Sequence, residues 1–402
     1  MIATRRTTRD IRSESRLVVM RALLDAGEST RGDLARETNL SVATVSTIVA
    51  DLLKCGLVSE TGLISQPIGR PTVGLRLNAD RGRVVGVYVE ETDLEVVVFD
   101  AALGELAKAE GVASEVDADA IIDAIERVID TALQRAQANR DDVLGVGVLL
   151  PGGLQRPVKA SPVPDAIWRH LDRLRDRLGL PVVVDNPLKA IATSQLWFGP
   201  GRRYANLVAV NLGVGVGAGI VQDGTVMRGA TDTAGEWGHT LFAFDGRQCQ
   251  CGRRGCVEAY VGAAGIRRTL AEIAPGHPLT AVDGHREFIA ALAADLTAEA
   301  PDPPVAATVD RTAHYLGAAL TDLVAIVNPE VITLTGWTSD DLGEHMLPMI
   351  RGRVRADAPG DAAVDLAIQV AAGRGLAGIA AIALERFLRD VGLVTTRVLP
   401  AL

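Results

Sequence analysis

The residues best suited to chemistry lie in one stretch, GEWGHTLFAFDGRQCQCGRRGCVEAY, residues 235–260. His239, Cys249, Cys251 and Cys256 offer one imidazole nitrogen and three sulfurs. Four such donors make a closed tetrahedral set for structural zinc, with no open position for water. An odd cluster of thiols also favours a metal over disulfides. The remaining cysteine, Cys55, stands alone and reads as a small buried hydrophobe. Glu236 lies three residues before His239 and Glu258 two after Cys256. A metal there would hold two carboxylates and an imidazole around one point, as a general acid/base pair or as acceptors for the hydroxyls of a sugar. His239 can bind metal through one ring nitrogen and donate from the other.

These residues need a scaffold, and the flanking pattern supplies one. Strands are expected at VVGVYVE, LEVVVFD, VLGVGVLL and PVVVDN, with a turn at Ala102-Leu103-Gly104. Asp117 to Asn139 reads as a helix with Ile121, Ile125, Val128, Ile129 and Ala132 on one face. A second helix carries Ile167, Leu171, Leu174 and Leu178 and closes at Gly179. A second series begins at LVAVNLG and continues as GIVQDGTVMRG, so two similar α/β halves with a cleft between them are expected. The GVGVGAG between these strands is no dinucleotide fingerprint, because Ala218 stands where the third glycine belongs. It also lacks the Gly-Lys-Ser/Thr of a P-loop. It reads as a tight turn, with phosphate binding as the alternative use.

The first eighty residues differ. Arg16 to Ala26 reads as a helix, with Leu17, Met20, Leu23 and Leu24 on one side. Thr30-Arg31-Gly32-Asp33 has capping-box spacing and opens a short helix through Thr38. Ser41 caps a third helix whose Val45, Ile48, Val49, Leu52 and Leu53 form a buried stripe, ended by Gly56. Opposite the stripe stand Ala43, Thr44, Ser46 and Thr47, small enough for close entry into a major groove, with hydroxyls for phosphates or base edges. A two-stranded wing follows, with a Gly69-Arg70-Pro71 turn. Thr44 and Thr47 are expected to face the groove, Arg31 a phosphate, and Arg70 the backbone or minor groove. Residues 1–80 are a winged helix-turn-helix by this reading.

Charge agrees with that division. The 402-residue chain has net charge −9, yet residues 1–80 hold 11 Lys+Arg against 9 Asp+Glu, with six Arg in the first 21 positions. A basic module on an acidic body suits contact with a polyanion. Mean hydropathy is +0.20, ordinary for a globular protein. The basic N-terminus lacks the apolar core of a signal peptide. The longest uncharged segment, Tyr204 to Gln222, carries two Asn and four alternating Gly. A membrane helix is therefore not expected, and a cytoplasmic location is.

The GE-x-GH and C-x-CG-x-x-GC-x-E motifs, with HYLGAALTDLVAIVNPEVITLTG further on, resemble the ROK family of repressors and sugar kinases along essentially the whole chain. With its fused helix-turn-helix the sequence is similar to the family's xylose and N-acetylglucosamine repressors. The resemblance implies an actin-like, ribonuclease H-like ATPase body of two α/β lobes, residues 81–195 and 196–402, behind the winged helix. The C-terminal helix would pack back on the first lobe. It also implies a homodimer or homotetramer, and sugar hydroxyls held by Asn186, Glu236, His239 and Glu258.

Family kinases carry an Asp-x-Gly-Gly-Thr phosphate loop, where this chain has Tyr88-Val89-Glu90-Glu91-Thr92. Their catalytic Asp follows an Asn, where this chain has Asp185-Asn186-Pro187. Asp185 is the nearest substitute and is expected as a solvent-facing strand-end acid. The usual Thr of the second glycine loop is Val214. No catalytic residue is therefore assigned. The reading is a zinc-containing transcriptional regulator that binds a pseudo-palindromic double-stranded DNA operator and senses a sugar or related metabolite. The alternatives are a sugar kinase with a fused DNA-binding domain and a regulator governed by a protein partner.

Overall fold

A computed structural model describes residues 8–64, 71–90, 92–115, 118–150, 171–373 and 375–390. Two compact units divide the chain. One is Met1–Leu150 with Val163–Asp185 and Ile379–Leu402; the other is Pro151–Pro162 with Asn186–Gly378.

The first unit opens with three helices, α1 (Thr8–Ala26), α2 (Arg31–Thr38) and α3 (Val42–Lys54). Helix α1 starts earlier than its apolar period, because TRDIRSES contains no breaker but also no stripe. Thr30 caps α2 through Asp33 N, and Asn39 ends it at φ 54°. Ser41 caps α3 through Thr44 N, and Gly56 follows at φ 80°. Strands β2 (Val58–Ile64) and β3 (Thr72–Leu77) form the wing, with β1 (Ser29–Thr30) on the other edge of β3. Arg70, with Gly69 of the Gly69-Arg70-Pro71 turn expected there, lies outside the described residues.

One arginine of the basic N-terminal segment turns inward. Arg16 is only 3% exposed. Its Nη2 donates to Asp51 Oδ2 of α3 at 2.8 Å and its Nη1 to the Leu388 carbonyl at 3.1 Å. It is thus withdrawn from the polyanion contact that charge counting gave it.

Beyond the wing come β4 (Arg83–Glu90), β5 (Asp93–Asp100), β6 (Glu105–Val112), β7 (Val143–Leu149) and β8 (Val182–Asp185). They form one sheet in the order β6-β5-β4-β7-β8, antiparallel among the first three and parallel through β7 and β8. The helix Ala118–Arg135 buries Ile121, Ile125, Ile129 and Ala132 in the core shared with these strands. Gly147 of β7 leaves room for the C-terminal helix, since a Cβ there would stand 2.5 Å from the Ile379 carbonyl. Ile167 of the expected second helix lies outside the described residues; Leu171–Leu178 is helical.

The second unit repeats this order. Strands β9 (Leu207–Leu212), β10 (Val216–Gln222), β11 (Thr225–Val226), β12 (Val331–Thr335) and β13 (Ala367–Val370) align as β11-β10-β9-β12-β13. Again three are antiparallel and two parallel, in line with the two similar α/β halves expected. Helices Pro303–Val327 and Trp337–Asp357 bury Leu316, Leu320, Leu342 and Ile350 in one core with β9 and β12. No helix among the described residues is long and apolar enough to cross a membrane.

Candidate functional site

The four expected metal donors converge. Their ligand atoms, one each from His239, Cys249, Cys251 and Cys256, all lie within 4.8 Å of one another. Cys251 Sγ is 3.6 Å from Cys256 Sγ, and Cys249 Sγ is 3.8 Å from His239 Nδ1. A tetrahedron with zinc–sulfur bonds of about 2.3 Å has edges of roughly 3.6–3.8 Å, so these separations fit that ion. Burial pushes the Cys249 thiol up, and the neighbouring Glu258 charge adds to the effect. Burial also raises Cys256. Cys251 is lowered: burial opposes this, but hydrogen bonds from the Arg253 backbone and side chain outweigh it. A metal bound here would have to displace the thiol protons, and its charge would offset the burial of the thiolates.

Backbone and side-chain contacts also hold the loop carrying the thiols. Gly255 takes φ 78°, and a Cβ there would collide with the Ala243 carbonyl. Cys249 N donates to Arg253 O at 2.9 Å, and Leu241 pairs with Cys256. Arg247, 6% exposed, fixes the loop from beneath. Its guanidinium reaches Gly265 O at 3.1 Å, Thr269 Oγ1 at 3.0 Å and Glu272 Oε2 at 2.6 Å, and stacks 4.7 Å from the Tyr260 ring centroid. Sequence reading passed over Arg247, because abundant arginine hides the one that is buried.

The carboxylates are differently placed. Glu258 Oε1 accepts from Cys249 Sγ at 3.3 Å and its Oε2 from Val216 N at 3.0 Å. It joins the thiol loop to the first residue of β10. Glu236 is half-buried at the head of a short helical turn, Trp237–His239. Behind it the buried ammonium of Lys189 donates to the Ala234 carbonyl. Asn186 is 5% exposed and its Oδ1 accepts from Leu188 N at 2.7 Å, capping the helix Pro187–Phe198. Its side chain therefore has a structural use alongside the expected ligand contact.

Segments expected to correspond to kinase elements lie at β4–β5, at the end of β8 and between β9 and β10. Strands β4 and β5 pair through Glu90↔Asp93, so only Glu91 and Thr92 join them. Asp185 is 2% exposed at the end of β8, paired in register with Leu149. The expectation of a solvent-facing acid is corrected: Asp185 is buried although Val183 and Val184 before it are half-buried. In GVGVGAG, Gly213–Gly215 make the turn between β9 and β10, but Gly219 belongs to β10. A Cβ on Gly219 would stand 2.7 Å from the Ala192 side chain and collide with the Leu188 carbonyl. That glycine seats a helix.

On α3, Ser41, Ala43, Thr44 and Thr47 are exposed and Ser46 is half-buried. Arg31, the expected phosphate contact, pairs with Glu60 across 3.3 Å.

The ROK family model matches residues 84–386. A model of the bacterial regulatory protein, arsR family, matches residues 13–60. A putative xylose repressor from Caldicellulosiruptor sp. (strain Rt8B.4) is 27% identical over 350 residues, 85% of this chain and 87% of that protein. A solved ROK family transcriptional regulator, homologue of the E. coli MLC protein, superimposes with TM-score 0.73 at 27% identity, over 94% of this chain and 97% of that one. A ROK family glucokinase from Streptomyces griseus, solved with glucose and AMPPNP, gives TM-score 0.61 at 29% identity, over 75% of this chain and 99% of that one. With the match extending over three quarters of its length and the His/Cys cluster in place, this chain belongs to the ROK family.

Proposed function

We propose that this ROK protein is a DNA-binding transcriptional repressor whose body senses a sugar or related metabolite without phosphorylating it. The observation that carries this reading is the N-terminal module. The likeness to the repressor and the regulator runs over 85% and 94% of the chain, while the glucokinase likeness covers 75%. The regulatory helix model matches residues 13–60. We take residues 1–80 as the DNA-reading module, acting as a homodimer or homotetramer on a pseudo-palindromic operator in the cytoplasm, with 81–195 and 196–402 as the lobes behind it.

In the body, His239, Cys249, Cys251 and Cys256 would hold one structural zinc, which supplies a cross-link in place of a hydrophobic core. Glu236, His239 and Glu258 then have a fixed frame from which to accept or donate to sugar hydroxyls, with Asn186 at the head of the adjoining helix. Two features of the sequence support the absence of kinase activity. The sequence has Glu90 and Glu91 at the positions that resemble the glycines of the family kinases' phosphate loop, and Pro187 offers no base where those kinases carry Asp.

The test is a selection from random duplexes with the full chain, beside an assay of magnesium-ATP turnover on hexoses, pentoses and amino sugars. A palindromic duplex should be enriched, its affinity should fall steeply with salt, and turnover should be absent. A chain lacking residues 1–80 that binds the duplex equally well overturns the first part. Turnover that disappears in Asp185→Asn overturns the second.

A further inference from the structure

Helix α3 reads VATVSTIVADLLK, and no Arg, Lys, Asn, Gln or Glu occurs before Lys54. The side chains that pair bidentately with guanine or adenine edges are therefore missing from it. Its hydroxyls are largely spent on the helix itself. Thr47 Oγ1 donates to Ala43 O at 3.0 Å, while Ser41 Oγ accepts from Thr44 N at 3.0 Å and pairs with Thr44 Oγ1 at 2.8 Å. Asp51 is committed to Arg16. These bonds take up the hydroxyl protons of Thr47 and of one partner in the Ser41–Thr44 pair, and leave the oxygens as acceptors. What the head of the helix does present is apolar: Val42, its first residue, is 58% exposed, and Ala43 beside it is also exposed. With its proton given to Ala43 O, Thr47 Oγ1 can only accept, and its γ-methyl is the residue's apolar group. An exposed valine at the leading end of a recognition helix gains stabilisation only when something apolar covers it.

Resting on the DNA-binding reading above, we propose that α3 selects its operator by methyl contact. Val42, Ala43 and the Thr47 γ-methyl seat the C5-methyl groups of thymines in the major groove. Phosphate contacts elsewhere supply affinity, and these three side chains supply the choice of base.

The experiment uses the full chain and the best duplex from the selection. Each thymine is replaced in turn by uracil, which removes the C5-methyl and leaves the hydrogen-bonding edge intact. At least one thymine in each half-site should show about fourfold weaker binding on replacement, the factor expected for burying one methylene-sized group. In Val42→Ala, sensitivity at one of these thymines should vanish while the salt dependence stays as in wild type, because no charge has changed. Equal binding of every uracil duplex overturns the inference and leaves the repressor reading intact. So does a sensitivity that persists in both Val42→Ala and Thr47→Ser. A selection that enriches no duplex overturns the repressor reading and this inference together.

Discussion

The two five-stranded sheets have the same order and the same mixture of antiparallel and parallel pairing, yet they carry different surfaces. In the first, the connection from β4 to β5 is two residues long, and the sheet's work is to seat helices. In the second, the turn after β9 adjoins Glu258, and the segment following β11 holds the His/Cys cluster that could bind a metal. Each sheet has a glycine that admits a helix, Gly147 in one and Gly219 in the other. Strands and their packing have been kept in both halves; the loops have not. A duplicated scaffold can thus divide its tasks, one copy holding the polar site while the other serves as support.

The sharpest way to break this comparison is to remove a donor from the second unit. Cys251→Ser should reduce bound zinc from one per chain to near zero and cost several kcal/mol, on the order of what structural zinc contributes to folding in small metal modules. Elemental analysis and calorimetry read the two effects. Full zinc content in the variant would remove the metal from this loop. A smaller effect sharpens the likeness of the sheets. Gly147→Ala and Gly219→Ala should each cost about 1–3 kcal/mol by overpacking, measured by denaturant unfolding. A neutral Gly219→Ala would mean the helix Pro187–Phe198 is not seated as described.

The smallest effect is electrostatic and common to both units. Hydrogen bonds from Arg177, aided by Arg140, hold the Glu126 carboxyl below its ordinary range against the effect of burial. Burial raises Glu272, but Arg247 and Arg268 outweigh it and bring that carboxyl down as well. A depressed folded pKa gives stability that is complete above the unfolded value of about 4.3 and is lost as pH falls through the folded one. The advantage of wild type over Glu126→Gln or Glu272→Gln in melting temperature should therefore be present at pH 6 and fade below about pH 4. An advantage that grows on acidification would contradict both assignments.

What was legible in the sequence follows from how local its cause is. The caps at Thr30 and Ser41, the stripe through Val45 and Leu52 and the donor spacing after Cys249 depend on neighbours within a few residues, and they read correctly. Arg247, Lys189 and Arg16 did not, because their partners lie 25, 45 and 372 positions away. No period marks an arginine that folds inward. Asp185 was misjudged for a similar reason: burial at a strand end depends on what covers it, and that comes from elsewhere in the chain. The hydroxyls of α3 were seen as residue types, but their commitment to the helix backbone emerged only with side-chain geometry.

Arg16 has one more consequence. It is a single bracket holding two distant stretches of chain, the recognition helix through Asp51 and the C-terminal helix through the Leu388 carbonyl. Its Nε already lacks a partner among the described residues, so it has no spare acceptor to turn to. Pulling Leu388 away would strand another buried donor, at a cost of about 1–3 kcal/mol, a five- to 150-fold change in an equilibrium. The helix-turn-helix is therefore tied to the C-terminal helix through one guanidinium, whose loss would release both attachments at once.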